Sequence, residues 1–335
     1  AGPKDDATFT PYIETPDRGI AKPFEEYTPD DKDRLKFISN FSGSFGFALV
    51  LKNMNYLFVD GRYTLQANNQ SGKYFKVVTI PAKMPKDILK NKKFIIGFDP
   101  KLFTKKTLDI FFKNNSCKFK PFRSNFIDEI WKRKIKKNKN NFYCLSAKSA
   151  SNHFKFKINK VISYIKKRNV DYHFISASEN SAWLLNIRGS DTNYTPLPYC
   201  KILISKNKII KLFCNLEKIT PSFRRNFKNI QFLDISSTSK ILSQINDKRF
   251  IIDKSTCSFL YENIIFKNNI ILDISDPIYE FKSIKNIKEI KNIEKAHIYD
   301  GVALTKYLFW IKNNFEKKKI TEISASQKLY SFRKL

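Results

Sequence analysis

Short apolar segments alternate with polar and turn-forming residues through most of this chain. Between residues 45 and 98, four segments bounded by Gly, Asn, Asp or Pro have the length and composition of β-strands: 45–51, 56–59, 75–80 and 94–98. The apolar residues of 101–114 then fall close to one helical face, and residues 117–122 read as another strand. This alternation predicts an α/β domain.

The second half of the chain repeats the alternation. Apolar residues at offsets 0, 4, 7, 8 and 11 from Phe154 form one stripe, with lysines on the other face, which predicts an amphipathic helix. A helix is also expected at 239–245, and strands are expected at 171–176, 199–204, 209–213, 232–235, 250–253 and 270–274. These elements predict a second α/β domain.

The remaining segments set the predicted boundaries. Residues 1–23 are rich in Pro, Asp and Thr without periodicity and predict an extended arm. Residues 285–314 predict one long helix, and Thr321 is expected to cap a second that buries Ile323, Leu329 and Phe332. We therefore predict an arm at 1–23, α/β domains at 24–148 and 149–281, and the start of a further domain at 282–335.

The charge balance is strongly basic. The 335 residues include 62 Lys+Arg against 31 Asp+Glu, a net charge of +31, but only 11 of the cations are Arg. Abundant Lys, Asn, Ile and Phe are typical of an AT-rich genome, whereas Arg is favoured for bidentate contacts to bases and phosphates. The basic stretch 132–141 is predicted to be an exposed linker, and a nucleic-acid patch is the alternative. The absence of an aromatic residue among 134–141 argues against the patch, because such a patch needs aromatic side chains for base stacking.

The chemistry-bearing residues are sparse. Five cysteines without a C-x-x-C pair predict neither a disulfide framework nor a zinc knuckle and favour a reducing, cytoplasmic location. His153, His173 and His297 are not spaced for a metal site, and His297, among apolar neighbours, is expected to pack inside the protein. No apolar run is long enough to span a bilayer, so no membrane association is expected.

Several motifs together resemble one enzyme family. The sequence is similar to the three-domain aminopeptidase P (Xaa-Pro aminopeptidase) enzymes of the creatinase, or pita-bread, metallopeptidase family. The similar blocks occur in family order at residues 40–46 (NFSGSFG), 58–67 (FVDGRYTLQA), 182–191 (AWLLNIRGSD), 276–277 (DP), 295–304 (KAHIYDGVAL) and 320–325 (ITEISA). Their collinearity from about residue 25 to the end is more specific than any single block.

The resemblance implies a fold and an activity. It implies two consecutive creatinase-N-terminal-like α/β domains, with mixed sheets flanked by helices, followed by the opening helices of a truncated pita-bread domain. Family members release an N-terminal residue that precedes proline, using two metal ions, usually manganese, and their metal ligands would all lie beyond residue 335. The chain by itself is therefore expected to be inactive, to hold no metal, and to serve gating of the substrate end and dimerisation, with short proline-containing peptides as substrates and a homodimer as the assembly.

Two arginines are the candidate site residues. Gly61 is expected to allow a sharp turn after a strand, presenting Arg62 at the edge of the sheet; the alternative is an Arg that pins a loop through Asp60. Arg188 is the weaker candidate, since its block also reads as a structural corner. Ser44 and Ser190 are not nucleophile candidates, because no His and acid accompany them. A non-enzymatic scaffold, with the arm 1–23 binding a protein partner, is the alternative function.

Overall fold

The chain divides into two compact units. The computed structural model describes the backbone of residues 10–14, together with residues 32–113, 116–132, 140–146, 149, 152–192, 195–317 and 319–334. The first unit consists of Ala1–Cys144 and Phe154–Tyr279, and the second of Leu145–His153 and Glu280–Leu335. The first unit holds two α/β domains, and the long helices lie in the second, which confirms the predicted fold class.

The first domain is built on a six-stranded mixed sheet. Its strand order is β4-β3-β2-β1-β5-β6, and within it β2 is antiparallel to both of its neighbours. The predicted strands are confirmed, with ends shifted by about one residue. The elements are β1 (Thr10–Glu14), α1 (Arg34–Ser39), β2 (Gly46–Val50), β3 (Asn55–Asp60), α2 (Thr64–Ser71), β4 (Lys76–Ile80), α3 (Pro85–Ile88), β5 (Ile95–Phe98), α4 (Lys105–Phe112), β6 (Lys118–Pro121) and α5 (Phe126–Ile130).

Strand β1 corrects the predicted arm. Its Tyr12 pairs with Leu49 of β2 on one side and with Phe98 of β5 on the other, so β1 is an interior strand of the sheet. A five-residue strand containing Pro11 has no periodicity that separates it from a loop, and its two partner strands lie far away in the sequence. The other residues of the predicted arm lie outside the described part of the chain.

Alternate residues of the central strands face two separate cores. Phe47 and Phe58 pack on one side, where the Phe47 ring stacks on Phe58 at 4.7 Å and on Phe111 of α4 at 4.4 Å. Ala48 and Leu57 face the opposite side, where α1 and α2 cover them. The period of two along each strand therefore places apolar side chains on both faces of the sheet.

The second domain repeats this topology. Its sheet has the order β12-β11-β10-β8-β13-β14, in which β10 is antiparallel to both neighbours, as β2 is in the first sheet. A separate two-stranded ladder pairs β7 with β9. The elements are β7 (Tyr143–Cys144), α6 (Phe154–Lys167), β8 (Tyr172–Ile175), α7 (Ser178–Leu185), β9 (Ile187–Arg188), β10 (Cys200–Ser205), β11 (Ile210–Cys214), α8 (Pro221–Arg225), β12 (Ile230–Asp234), α9 (Thr238–Ser243), β13 (Arg249–Ile252), α10 (Phe259–Phe266), β14 (Ile270–Asp273) and α11 (Ile278–Ser283).

The two α/β domains meet through equivalent loops, those that follow β5 and β13. The backbone N–H of Phe259 donates to the carbonyl of Phe103 at 2.6 Å, and the N–H of Leu260 donates to the carbonyl of Pro100 at 2.8 Å. The ring of Phe98 meets that of Phe259 edge to face, with centroids 5.0 Å apart. These direct backbone bonds and the shared aromatic contact join the two domains into one unit.

The second unit contains helices α12 (Ile287–Asn314) and α13 (Glu322–Arg333), which contact each other. Arg333 pairs with Asp300 across them, with Nε 2.6 Å from Oδ1. The Thr321 cap is confirmed, but its reciprocal partner is Ser324, and Ile323, which was expected to be buried, is 72% exposed. Most apolar side chains of α12 are likewise exposed, including Ile287, Ile290, Ile293, Ile298, Val302 and Leu308. None of the described helices is long and apolar enough to cross a membrane.

Candidate functional site

Arg62 lies just beyond the C-terminal end of β3. The carboxylate of Asp60 accepts the Arg62 backbone N–H at 2.9 Å and two guanidinium hydrogen bonds, from Nε at 3.1 Å and from Nη2 at 2.7 Å. The side-chain hydrogen bond from Arg62 is the main cause that lowers the pKa of Asp60. The Arg62 side chain is 71% exposed, so the ion pair holds a cation in a fixed orientation at the surface.

The turn that carries Arg62 follows β3 directly and is short. Residues Gly61–Tyr63 form a single 3₁₀ turn, capped by the Asp60 side chain, and no described glycine has a positive φ. A Cβ at Gly61 would meet no atom within 4 Å. Gly61 therefore lies in a sharp turn, as expected, and the Asp60 cap accounts for the geometry of that turn.

Neutral polar side chains surround this sheet edge. The amide of Gln70 accepts the Ser42 N–H at 2.9 Å and donates back to the Ser42 hydroxyl at 2.9 Å, and Tyr63 shares a hydrogen bond with Ser44. None of the described hydrogen bonds joins Ser42 or Ser44 to a histidine, so the edge offers hydrogen bonds and one cation rather than an activated nucleophile. Its chemistry suits holding a polar or anionic end of a ligand.

Arg188 occupies a different environment. It lies on β9, which pairs with β7, and its Nη1 donates to its neighbour's carbonyl at Ile187, 2.9 Å away, and to that of Ala182 at 3.4 Å. Burial lowers the pKa of the guanidinium. Because Nη1 donates to one main-chain carbonyl in the last turn of α7 and to one on β9, this geometry favours the structural-corner interpretation of Arg188.

The same corner contains a buried ion pair that the sequence did not reveal. The Lys218 ammonium contacts Asp191, both side chains are buried, and the other Asp191 oxygen accepts the Tyr199 N–H at 2.7 Å. Gly189 is required here for space, since a Cβ would lie 2.9 Å from the backbone of Pro198. Asp191 and Lys218 are 27 residues apart, and no local pattern marks their pairing.

A buried polar cluster closes the C-terminal end of the second sheet. Asp276, which belongs to the 276–277 block, is buried; its carboxylate accepts hydrogen bonds from Asn180 Nδ2 at 2.7 Å and from the Ile278 N–H at 3.0 Å. Its own N–H donates to Asp253 at 3.1 Å, and the fully buried His173 places Nε2 3.6 Å from Asp276. These contacts fix the chain where it leaves the second sheet and enters α11.

Acidification is expected to destabilise the protein through His173. Burial lowers the pKa of this imidazole, and the charges of Asp276 and Asp253 oppose that effect only in part. The unfolded chain binds a proton at an ordinary pKa near 6.5, whereas the folded chain resists it, so stability is full above that value and falls as the pH drops below it. Urea unfolding between pH 8 and pH 5 measures the decline.

A His173→Leu variant should flatten this pH dependence, because it removes the titrating group from the buried cluster. The exposed His153 supplies the control, since a His153→Leu variant should keep the slope of the parent protein. Equal slopes in the parent and His173→Leu proteins would show that His173 does not titrate differently on folding.

The remaining candidate groups are His297 and the possible metal ligands of the described residues. His297 is exposed on α12, where Nδ1 donates to the carbonyl of Ile293 at 2.9 Å, so the prediction that it packs inside is wrong for this chain. No group of three or more His, Cys, Asp or Glu side chains in the described residues is arranged to hold a metal ion. The described residues therefore do not fit a metal centre.

The sequences of both α/β domains are similar to those of known proteins. Two models described as the creatinase/prolidase N-terminal domain match the chain, one over residues 29–130 and the other over residues 133–289. The chain is 29% identical over 329 residues to Xaa-Pro aminopeptidase ApepP of Drosophila melanogaster, covering 92% of this chain and 53% of that protein. It is also 29% identical to Xaa-Pro aminopeptidase 1 of Dictyostelium discoideum, with the same coverage.

A solved structure shows the same fold. The X-prolyl aminopeptidase of Caenorhabditis elegans, described as a cytosolic enzyme with a di-nuclear active site, matches with a TM-score of 0.86 and 24% identity, over 98% of this chain and 56% of that one. The chain spans about half the length of the curated relatives it matches.

Proposed function

Because this chain belongs to the Xaa-Pro aminopeptidase family, we propose that it forms the N-terminal, non-catalytic part of an enzyme that releases an N-terminal residue preceding proline. The observation that supports this most is the similarity to such enzymes along 92% of the chain, which corresponds to about half of each relative. The exposed apolar side chains of α12 support a continuing domain that would cover them.

We propose that the metal ions and the control of peptide access belong to different domains of the complete protein. A pair of metal ions, which we propose to be manganese, would be held in the continuing domain, since the described residues contain no suitable ligand cluster. The two α/β domains would narrow the approach to that domain, so that short peptides enter, and would contribute to a homodimer. We propose a cytoplasmic location for this assembly.

Arg62 is the residue of this chain that we propose contacts the substrate end. Its guanidinium is exposed, and Asp60 fixes its orientation, so it can meet a peptide carbonyl or carboxylate without first reorganising. Arg188 is kept as a weaker proposal, because its bonds to the Ala182 and Ile187 carbonyls already give it a structural role.

Expression of the complete coding sequence tests the proposal. We expect the complete protein with Mn²⁺ to hydrolyse a Gly-Pro peptide and residues 1–335 alone to show no metal-dependent turnover. An Arg62→Ala variant of the active protein should raise KM with kcat changed less, whereas Arg188→Ala should chiefly lower thermal stability.

Two outcomes would contradict the proposal. Metal-dependent turnover by residues 1–335 would place the catalytic groups in this chain. A stop codon after residue 335, with no activity, would instead support the non-enzymatic scaffold. That alternative has lost part of its basis, since Thr10–Glu14 of the supposed partner-binding arm is an interior strand of the first sheet. Of the basic stretch 132–141, residues 133–139 lie outside the described part of the chain.

A further inference from the structure

The duplicated topology allows the two sheets to be compared position by position at one edge. Strand β6 ends the first sheet and β14 ends the second, each parallel to its inner neighbour. The register places Lys118 opposite Ile95 and Ile270 opposite Arg249, so that Lys118 and Ile270 occupy equivalent positions. Differences between the two edges therefore reflect sequence on a shared backbone arrangement.

The first edge is protected and the second is not. Strand β6 has Lys118, Lys120 and Pro121 on its exposed positions, and lysine and proline are the residues that natural edges use to prevent further pairing. The equivalent positions of β14 hold Ile270, which is 64% exposed, the partly exposed Leu272 and the exposed Asp273. Two apolar residues of β14 therefore replace the two edge lysines of β6, while Asp273 stands in place of Pro121.

The backbone of β14 is open to pairing. The N–H groups of Ile270 and Ile274 donate inward, to the carbonyls of Lys248 at 2.9 Å and Ile252 at 3.1 Å. In a parallel ladder the intervening residues, Ile271 and Asp273, direct their N–H and C=O groups away from the inner strand. In the described part of the chain no strand pairs with this outer edge.

A cationic pocket adjoins the N-terminal end of the strand. Its volume is about 830 Å³, and residues 246–249 and 266–270 line it. Phe266, 70% exposed, and Ile270 supply an apolar surface. Lys248, Arg249 and Lys267 contribute three cations against the single carboxylate of Asp247. The lining therefore combines an apolar contact with a net positive charge.

We propose that the outer edge of β14 and this pocket bind an extended acidic peptide segment of a partner protein. The segment would add a strand to the sheet by bonding to Ile271 and Asp273, place an apolar side chain against Phe266 and Ile270, and direct acidic side chains toward Lys248, Arg249 and Lys267. Four strand residues span about 13 Å, so a short segment suffices. A second copy of this strongly basic chain fits the charge less well.

A labelled peptide tests the proposal. The probe is a fluorescein-labelled octapeptide of alternating Glu and Val, with a Lys-Val peptide of the same length as the charge control, and fluorescence anisotropy is the measurement. We expect saturable binding of the Glu-Val peptide, at least about tenfold tighter than that of the control, and weaker binding as NaCl is raised. An Ile270→Lys/Leu272→Lys variant, which copies the β6 pattern, should bind at least about tenfold more weakly.

The control variant is Leu65→Lys, which changes a leucine of the first domain that is 75% exposed, against 64% for Ile270, and should leave binding within about twofold of the parent. Circular dichroism and urea unfolding check that each variant folds; if the double variant does not fold, Ile270→Lys alone replaces it. Equal binding of the two peptides, or unchanged binding by the folded variant, would overturn the proposal. Self-association lost on Ile270→Lys, without peptide binding, would also overturn it in favour of a second copy.

Discussion

Replacing Lys218 with Met is expected to lower the free energy of unfolding by about 3–5 kcal/mol. The reason is the burial of both members of the Lys218–Asp191 pair. With the ammonium removed, the Asp191 carboxylate stays in a buried site with the Tyr199 N–H as a remaining donor. An uncompensated buried charge costs far more than the loss of one exposed ion pair. Urea unfolding followed by circular dichroism measures the change.

Two further variants test whether the lost stability comes from an unpaired charge in a buried site. The double variant Asp191→Asn/Lys218→Met removes both charges and should recover a large part of the lost stability. Arg62→Ala breaks the exposed Arg62–Asp60 pair, whose Arg side chain is 71% exposed, and should cost no more than about 1 kcal/mol. A similar small loss for Lys218→Met and Arg62→Ala would mean that water reaches the Asp191 carboxylate.

A Phe98→Ala variant should destabilise the protein by about 3–5 kcal/mol and separate the unfolding of the two α/β domains. Phe98 is buried in the first domain and contacts Phe259 of the second. Truncation removes both the packing of Phe98 in the core of the first domain and its contact with Phe259, which is the joint between the two domains. The contacts that would remain between the domains include two backbone hydrogen bonds and the 3.1 Å bond from Lys106 Nζ to Ser255 Oγ. In the parent protein, by contrast, the two domains are expected to unfold together, because the Phe98–Phe259 contact couples them.

The tryptophans allow the two domains to be followed separately. Trp131 stacks on Phe37 in the first domain, and Trp183 lies on α7 in the second. Replacing Trp310 and either Trp131 or Trp183 with Phe gives two single-tryptophan proteins, one reporting on each domain. Their transitions should coincide in the parent background and occur at different urea concentrations with Phe98→Ala. Phe111→Ala is the matched control, because it truncates an equally buried ring away from the joint and should lower stability without separating the transitions. Coincident transitions in the Phe98→Ala protein would show that the joint does not depend on this ring.

Local pattern predicted most strands but missed those that depend on distant partners. The segment at 75–80 was recognised as β4 from its apolar run and bounding residues, whereas β1 was assigned to an arm because five residues around Pro11 resemble a loop until β2 and β5 flank them. The α12 stripe predicted its helix correctly. Burial of Ile323 was predicted from the same kind of stripe and is wrong for this chain, because periodicity identifies an apolar face and does not supply the surface that covers it.

The candidate site shows the same division. The sequence placed Arg62 after a strand and offered Asp60 as its partner, and the structure contains that ion pair, while the functional role of Arg62 stays a prediction. In the sequence, His173 is one of three histidines without metal-site spacing, and Asp276 belongs to the 276–277 block more than 100 residues away. Their environment is fixed by β8, α7 and the segment entering α11 meeting at one sheet end. Burial and opposing charge set the pKa of His173, and neither can be obtained from its neighbours in sequence.

The sequence by itself determined the alternation of strands and helices, the basic charge and the ordered blocks that place the chain in its family, since each is carried by residues near one another along the chain. The tertiary structure alone decided that β1 is an interior strand, that Lys218 pairs with Asp191, and that the same edge position is charged in β6 and apolar in β14. Those features depend on which distant segments the sheets bring together. The strand pairings and the buried ion pair join residues that are far apart in the sequence, so no local pattern identifies their partners.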